Sequence, residues 1–293
     1  MQNLSAWLKE KLYLQYGALA AEIERGYATN RRTTFRVNSL NTDSARVESE
    51  LRGAGLSFRR VDWYPEAYLL QEGTERDLSA LPCYREGGIY VQSLSSMLPP
   101  LYLGAEAGES VLDMTAAPGG KTTQISALTG GKAFITACEK DKIRADRLRF
   151  NIERQRAPRV TVLQTDARGL DDFFSFDRIL LDAPCSGSGT LDLNAPIRIS
   201  EALVANSSKL QEQLLFKAMK LLKKGGVLVY STCSVLKEEN ELVLERAIRQ
   251  AGGELIPIAP PEGAPLLPSL AGTVCVCPNE LFEGFFVAKI IKK

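Results

Sequence analysis

The sequence predicts an α/β protein in which a mostly parallel seven-stranded sheet, covered by helices on both faces, follows a small α/β domain. From about residue 108 onward, short strands rich in Val, Ile and Leu alternate with helices, as in buried parallel sheets. An earlier strand–helix–strand pattern ends at Pro82, Gly87 and Gly88, which mark a boundary. The chain has 293 residues, 45% of them apolar, so it is long enough for about two domains with a hydrophobic core.

Residues 1–30 are predicted to form an N-terminal helical segment. Leu4, Trp7, Leu8 and Leu12 fall on one helical face. Charges interrupt the apolar pattern, which excludes a signal peptide, and the chain lacks the run of roughly 18 apolar residues that a membrane helix needs. The six cysteines are scattered rather than arranged as a disulfide framework. We therefore expect a cytoplasmic protein that has no membrane partner.

Residues 31–85 are predicted to form the small α/β domain. TTFRVNSL has the composition of a strand, and Asp43 or Ser44 is expected to cap a helix that Gly53 and Gly55 end. LSFRRVDWY is expected to be the second strand. IYVQSLSSMLPPLYL then leads from a strand into a helix, at the beginning of the predicted domain 86–293.

Domain 86–293 alternates strands and helices in a regular way. The predicted strands are SVLDM, AFITACE, VTVLQTD, RILLDAP, GVLVYSTC and FFVAKII. The predicted helices are KTTQISALTG, KIRADRLRFNIERQ, SKLQEQLLFKAMKLLK, which Gly225 is expected to stop, and ENELVLERAIRQ. In sheets of this kind, ligands bind at the carboxyl ends of the strands.

Composition excludes several chemistries. The sequence contains no histidine, so Ser-His-Asp and Cys-His catalysis and every His-ligated metal site are ruled out. Cys275 and Cys277 have no second cysteine pair nearby, so we expect no metal and place them on one packed face of a strand. The net charge of +1 neither requires nor excludes a nucleic-acid partner. Basic residues cluster at 25–36 and 140–159. Such a cluster can be a solvated helix face or a surface that contacts the phosphates of a nucleic acid.

A glycine-rich loop joins the first strand of this domain to its helix. It extends from Asp113 to Thr122, where backbone N–H groups at a helix N-terminus can approach a ligand closely. A nucleotide P-loop needs a glycine at position 115, which is Thr115, and a dinucleotide site needs G-x-G-x-x-G, which is missing. S-adenosylmethionine is the remaining candidate.

Four acidic residues end successive predicted strands: Asp113, Glu139, Asp166 and Asp182. An acid after one strand is often only a helix cap. Four in register favour a ligand site, because they should line one edge of the sheet. Glu139 is placed to accept the ribose hydroxyls of the ligand, and Asp166 lies on the adenine side.

Two cysteines follow two strands that we expect to be neighbours, Cys185 in DAPCSGSG and Cys233 in YSTCS. Either alone is best explained as a small core residue. Neighbouring strands lie about 4.8 Å apart, however, so both thiols could reach one base. A thiolate that adds to carbon 6 of a cytosine makes carbon 5 nucleophilic enough to take a methyl group. A second group must then remove the carbon 5 proton, and an acid such as Asp182 near N3 would assist the addition.

At these residues the chain resembles the Sun/RsmB-type RNA 5-methylcytosine methyltransferases. The similarity extends from about Thr33 to the C-terminus. It includes Arg36-Val-Asn38, Tyr90-Val-Gln-Ser-Leu-Ser-Ser96, the Ala-Ala-Pro-Gly-Gly-Lys-Thr loop, the two cysteine segments, Glu239-Asn240-Glu241 and Gly284-Phe-Phe-Val-Ala288. Residues 191–200 depart from the pattern, where relatives usually carry a basic, tryptophan-containing stretch.

The resemblance implies a class I Rossmann-like, S-adenosylmethionine-dependent methyltransferase. It makes Cys233 the nucleophile and gives Cys185 the role of assisting product release. Lys121 is implied to lie near the target base, where its charge helps to keep a thiol ionised. The implied cofactor-binding residues are Thr115, Ala116, Ala117, Pro118, Gly119, Gly120, Lys121, Glu139, Asp166 and Asp182.

The implied partner is RNA, which the domain 31–85 would face. Ribosomal RNA is favoured over transfer RNA, and we expect a monomer. Two other hypotheses remain open from the residues. One is a ribosome-assembly protein that binds RNA without catalysis, and the other is an NTPase that uses Gly-Gly-Lys-Thr.

Overall fold

The computed structural model describes residues 4–293 and contains two β-sheets. Two compact units share the chain, and each has its own internal packing. The central unit consists of residues 32–171 and 176–180. The terminal unit consists of the described part of residues 1–31 together with 172–175 and 181–293. Strand β8 (Phe176–Asp182) begins in the central unit and ends in the terminal unit.

The central unit contains a four-stranded antiparallel sheet in the order β2-β3-β1-β4. Its elements are β1 (Thr34–Val37), α3 (Ser44–Gly53), β2 (Phe58–Val61), β3 (Tyr64–Leu70), α4 (Glu75–Ser79), α5 (Pro82–Arg85) and β4 (Ile89–Val91). The side chain of Asp43 caps α3 by accepting from the Arg46 N–H at 2.9 Å, as predicted. The helix and sheet enclose a core that includes Phe35, Val47, Leu51 and Tyr68.

The second strand predicted for this region is a hairpin. LSFRRVDWY covers β2, the turn and the first residue of β3, which continues to Leu70. Residues 67–70 are all buried, and β3 pairs with β1 on one side and with β2 on the other. Strand β4, which follows the predicted boundary glycines, completes the same small sheet by pairing with β1.

The second sheet is mostly parallel and is flanked by helices, so the predicted fold class is confirmed. It follows α6 (Leu94–Leu103), and its strands in the order β10-β12-β9-β8-β5-β6-β7 make seven, with β11 beside β12 as an eighth. Strand β5 pairs in parallel with β6 and β8, and β6 pairs in parallel with β7. The parallel part of the sheet and its connecting helices are, in chain order, β5 (Ser110–Asp113), α7 (Gly120–Leu128), β6 (Phe134–Cys138), α8 (Lys142–Arg154), β7 (Val160–Leu163) and β8.

The terminal unit contains the antiparallel strands, which pair as β10–β12, β11–β12 and β12–β9. Its elements are α1 (Ala6–Tyr16), α2 (Ala20–Ala28), α9 (Glu201–Leu221), β9 (Leu222–Thr232), α10 (Glu241–Ala251), β10 (Gly253–Ile256), β11 (Val274–Val276) and β12 (Phe285–Lys292). On α1, Leu8 and Leu12 are buried, in agreement with the predicted helical face, whereas Trp7 is partly exposed. Residues 1–3 lie outside the described residues.

Two boundaries in this unit differ from the prediction. Helix α9 begins seven residues before the predicted Ser208, because Ser200 caps it by accepting from the Leu203 N–H at 3.2 Å. The helix ends at Leu221 rather than at Gly225, which lies inside the long strand β9 with φ of 74°. Among residues 4–293, none of the helices combines the length and the apolar character that crossing a bilayer requires.

Candidate active site

The glycine-rich loop connects β5 to α7 in the central unit, as predicted. Ala116 and Ala117 are buried, and Gly119, at the N-cap of α7, has φ of 108°, which a side chain would strain. A Cβ on Gly119 would come within 3.0 Å of the Leu148 side chain, and one on Gly120 would come within 3.0 Å of the Tyr90 ring. The loop is therefore closely packed on its protein side, and a side chain at either position would require its neighbours to shift.

Neighbouring elements hold the loop by its carbonyl groups. Arg144 of α8 donates to the Ala117 carbonyl at 3.1 Å, and Asn151 of the same helix donates to the Pro118 carbonyl at 2.8 Å. The Asp113 carboxylate accepts from the Thr122 hydroxyl at 2.7 Å. These bonds fix the loop directly before α7, and the N-terminus of a helix is a place where ligands bind.

The four predicted acids all lie at carboxyl ends of parallel strands. Asp113 and Asp182 are the last residues of β5 and β8, Glu139 directly follows β6, and Asp166 lies three residues after β7. Their environments differ, however. Glu139 is 4% exposed, accepts from the Asp141 N–H at 3.0 Å and lies 3.4 Å from Arg144.

Asp166 is partly exposed and is held by its neighbour Arg168. The guanidinium donates to both carboxylate oxygens, at 3.0 and 2.6 Å. These hydrogen bonds with Arg168 lower the pKa of Asp166, although partial burial opposes the shift. The carboxylate is therefore ionised at neutral pH.

Lys121, which the sequence places near a target base, lies in the first turn of α7. Its ammonium group donates to the Ser96 hydroxyl at 2.7 Å. Ser96 belongs to the YVQSLSS segment, so two motifs that are 25 positions apart meet here.

The two thiols meet in the terminal unit. The sulfurs of Cys185 and Cys233 lie 2.9 Å apart, within hydrogen-bonding distance, and both cysteines are free. The hydrogen bond with Cys233, followed by burial, raises the pKa of Cys185 well above its usual value. Two anions cannot lie this close, so the pair keeps at least one proton.

Asp182 belongs to the same unit as the thiols. Its carboxylate accepts from the Ser231 hydroxyl at 2.7 Å, and the Ala183 N–H donates to the Ser231 carbonyl at 2.8 Å. These bonds tie the segment before Cys185 to the strand that precedes Cys233.

Glu239 also connects the two thiol segments, and the sequence analysis did not place it in the site. Its carboxylate accepts from the Ser186 N–H at 2.7 Å, from the Ser186 hydroxyl at 2.6 Å and from the Ser234 hydroxyl at 2.6 Å. Burial raises its pKa, more than these hydrogen bonds lower it. Its position in the Glu239-Asn240-Glu241 motif was the available signal in the sequence. The next residue of this motif, Asn240, also binds a thiol segment, because its side chain donates to the Ser234 carbonyl at 2.9 Å.

A close backbone contact supports the loop after Cys185. Gly189 donates to the Cys233 carbonyl at 2.9 Å and accepts from the Gly284 N–H at 2.8 Å. A Cβ on Gly189 would come within 1.9 Å of the Gly284 carbonyl oxygen. Gly284, the first residue of the GFFVA motif at 284–288, therefore packs against the loop after Cys185 and binds it.

The predicted residues thus form two groups. The central unit holds Thr115, Ala116, Ala117, Pro118, Gly119, Gly120, Lys121, Glu139 and Asp166, and the terminal unit holds Asp182, Cys185 and Cys233. Within residues 4–293, no group of three or more Cys, Asp or Glu side chains is arranged to hold a metal ion. Cys275 and Cys277 are both buried.

The model of the 16S rRNA methyltransferase RsmB/F family matches residues 100–291. This range contains the glycine-rich loop, all four acids and both thiols. The chain belongs to the RsmB/F family.

Relatives of the RsmB/F chain are similar over most of its length. Ribosomal RNA small subunit methyltransferase F of Shewanella sp. (strain ANA-3) is 34% identical and matches 89% of this chain and 56% of its own. The 25S rRNA (cytosine-C(5))-methyltransferase nop2 of Schizosaccharomyces pombe is 33% identical and matches 84% of this chain and 42% of its own. The chain therefore spans about half the length of these relatives.

A solved structure has the same fold. The methyltransferase homolog protein from Pyrococcus horikoshii is 33% identical, with a TM-score of 0.88 over 99% of this chain and 96% of its own.

Proposed function

We propose that this RsmB/F chain is an S-adenosylmethionine-dependent RNA methyltransferase that methylates carbon 5 of a cytosine through a covalent cysteine adduct. The observation that carries the proposal is the pair of sulfurs 2.9 Å apart, one on each of the two cysteine segments. Nitrogen methylation needs no thiol, whereas carbon 5 of cytosine needs a nucleophile at carbon 6 before it can react.

The glycine-rich loop fits the methyl donor. Its two glycines place no side chain at the N-terminus of α7, a helix N-terminus offers N–H donors, and Glu139 is a buried carboxylate suited to ribose hydroxyls. We assign donor binding to Thr115–Lys121, Glu139, Asp166 and Asp182. When bound, S-adenosylmethionine supplies an electrophilic methyl group on its sulfonium sulfur.

Cys233 is assigned as the nucleophile. Its thiolate adds to carbon 6 of the cytosine, and the electron pair that this displaces onto carbon 5 takes up the methyl group. The proton is then removed from carbon 5, the carbon 5–carbon 6 double bond re-forms, and the Cys233 sulfur leaves. The target base must leave its helical stack for carbon 6 to meet the thiolate.

Cys185 is assigned to product release. Its raised pKa keeps it protonated, so that it donates a hydrogen bond to the Cys233 sulfur and makes that sulfur the reactive one of the pair. Cys185 acts after methyl transfer, when the Cys233 sulfur has to leave carbon 6. We assign Asp182 to the N3 side of the base, where an acid favours addition at carbon 6, and Lys121 to the vicinity of the base.

The RNA itself is proposed to be ribosomal, with transfer RNA as the alternative. Both curated relatives named above are ribosomal RNA methyltransferases. We propose that residues 31–85 face the RNA and that residues 86–293 form the catalytic domain. Exposed cations on α8, including Lys142 and Arg147, are available for phosphate contacts. All six cysteines are free, which fits a reducing compartment such as the cytoplasm.

The test is methyl transfer from labelled S-adenosylmethionine to ribosomal and transfer RNA, followed by nucleoside mass spectrometry. We expect label in 5-methylcytidine with the wild-type chain, and none with Cys233→Ala, which should still bind the donor. Label in a nitrogen-methylated nucleoside, or undiminished transfer by Cys233→Ala, would overturn the proposal. Donor binding and RNA binding without transfer would support a ribosome-assembly role instead.

A further inference from the structure

Arg36 is a fully buried cation whose hydrogen-bond partners are all neutral. It lies on β1 of the small antiparallel sheet and is 0% exposed. Its Nε donates to Gln92 at 2.9 Å, and its Nη2 donates to the Gly120 carbonyl at 3.0 Å and to the Thr123 hydroxyl at 2.7 Å. Burial lowers its pKa to about 10, so it stays charged at neutral pH.

Burying a charge with only neutral partners is costly, and an apolar side chain would fill this space without that cost. Among the atoms of residues 4–293, Nη1 of Arg36 finds no hydrogen-bond partner. Packing alone therefore does not explain why an arginine occupies this position. The groups that its guanidinium binds do explain it.

Those groups belong to the first turn of α7. Arg36 holds the Gly120 carbonyl directly, and Thr123, which it also binds, donates to the Gly119 carbonyl at 2.7 Å. A peptide group is planar, so fixing these two carbonyls also fixes the N–H groups of Gly120 and Lys121. Both groups belong to the first turn of the helix, the part of a helix that binds ligands through its backbone N–H groups.

The same guanidinium packs against the Tyr90 ring and is connected to Lys121 through Gln92 and Ser96. It lies 5.2 Å from the centre of the Tyr90 ring, and a Cβ on Gly120 would come to 3.0 Å from this ring. Gln92, which accepts from Arg36, donates to the Ser96 carbonyl at 3.0 Å, and the Ser96 hydroxyl accepts from Lys121. The small sheet thus reaches the glycine-rich loop through the side chains of Arg36 and Tyr90.

We infer that Arg36 is a positioning residue, which holds the first turn of α7 in the conformation that binds the methyl donor. This inference rests on the proposed donor site. Arg36 contacts the protein rather than the reacting atoms, so its loss should weaken donor binding and raise KM for the donor more than it lowers kcat.

The experiment compares Arg36→Met, which keeps the volume and removes the fork, with Arg36→Lys, which keeps the charge. Amide hydrogen exchange of residues 119–123 is measured without donor, and the Kd of S-adenosylmethionine is measured by calorimetry. We expect faster exchange in this segment and a Kd raised about tenfold or more for Arg36→Met, because charge-assisted hydrogen bonds are lost. Arg36→Lys should restore part of the affinity.

The matched control is Asn38→Ala. Asn38 is equally buried and close in sequence, but its side chain donates to the Gly87 and Gln155 carbonyls, at 3.0 and 2.8 Å. The Asn38→Ala variant should have a lower melting temperature than wild type but an unchanged Kd for S-adenosylmethionine. Wild-type exchange and Kd in Arg36→Met, or an equal rise in Kd with Asn38→Ala, would overturn the inference. A wild-type chain that binds no donor would instead refute the proposed function, while exchange still tests the role of Arg36.

Discussion

At the scale of single residues, the proposed mechanism depends on the proton shared between Cys185 and Cys233. The hydrogen bond with Cys233 and burial both raise the pKa of Cys185, which favours its neutral thiol. In the proposed mechanism, Cys233 is therefore the sulfur that adds to the base.

Alkylation should reveal this distinction. A raised pKa lowers the thiolate fraction at any given pH, so iodoacetamide near pH 7.5 should label Cys233 in preference to Cys185. Labelling of Cys185 should appear only as the pH rises above the ordinary cysteine range. Peptide mass spectrometry over a pH series measures both sites, and the buried Cys138 serves as an unreactive reference. Earlier labelling of Cys185 would contradict the assignment.

Glu239 should give a pH-dependent stability. Burial raises its pKa, so its contribution is fully present below the unfolded-state pKa of about 4.3 and is lost as the pH rises through the folded-state value. Glu239→Gln has no carboxyl group that ionises at this position. As the pH is raised from 4 to 7, we therefore expect the melting temperature of wild type to fall relative to that of Glu239→Gln. A constant difference across this range would show that the carboxylate does not titrate above its ordinary pKa.

The sequence identified the thiols but not the residue that joins their segments. Each cysteine follows a buried strand, and strand order alone brings such positions together. Glu239 lies beyond the second strand, before α10, and its role depends on a turn that brings it to Ser186 and Ser234. Such a long-range contact has no periodic signature in a sequence.

At the scale of elements, the turn after Cys185 depends on two glycines in contact. Gly189→Ala would force its Cβ into the Gly284 carbonyl, and we expect a loss of about 2 kcal/mol in the free energy of unfolding. Gly53→Ala is the control, because a Cβ there meets nothing within 4 Å on an exposed helix. It should be neutral or stabilising. Equal effects in denaturant unfolding would contradict the contact.

Helix α8 provides a test of RNA contact. Lys142 and Arg147 are exposed on it, and neutralising a cation that touches a phosphate should reduce the slope of log K against log salt by about one. We expect this change in RNA titrations with Arg147→Gln. Arg249→Gln, at an exposed position on α10, should leave the slope unchanged. The same slope for both variants would leave α8 as a solvated face.

Element boundaries were predicted less well than element types. The Val- and Leu-rich strands and the amphipathic helices have clear periodicities, so β5–β9 and α7–α10 were expected. Strand β10 was missed because four residues give too short a pattern, and Gly225 proved to be a strand residue. The β2–β3 hairpin was merged into one strand because Asp62-Trp63 lacks the usual turn glycine.

At the scale of the whole molecule, chain order explains why the fold class was predictable. Alternating strands and helices permit few arrangements, and right-handed crossovers place the carboxyl ends of the parallel strands on one edge. The acids and thiols were expected at such ends, and all are found there. The contribution of the small sheet through Arg36 was not expected, since a buried arginine has no distinct pattern in a sequence.

The most direct test of the covalent mechanism is to trap the protein–RNA adduct. Substrate RNA and S-adenosylmethionine are incubated with wild type, Cys185→Ala, Cys233→Ala and the double variant, and adducts are resolved on denaturing gels. We predict that Cys185→Ala accumulates an adduct, because the Cys233 sulfur adds but is released slowly, and that both variants lacking Cys233 form none. An adduct with Cys233→Ala and none with Cys185→Ala would contradict the account.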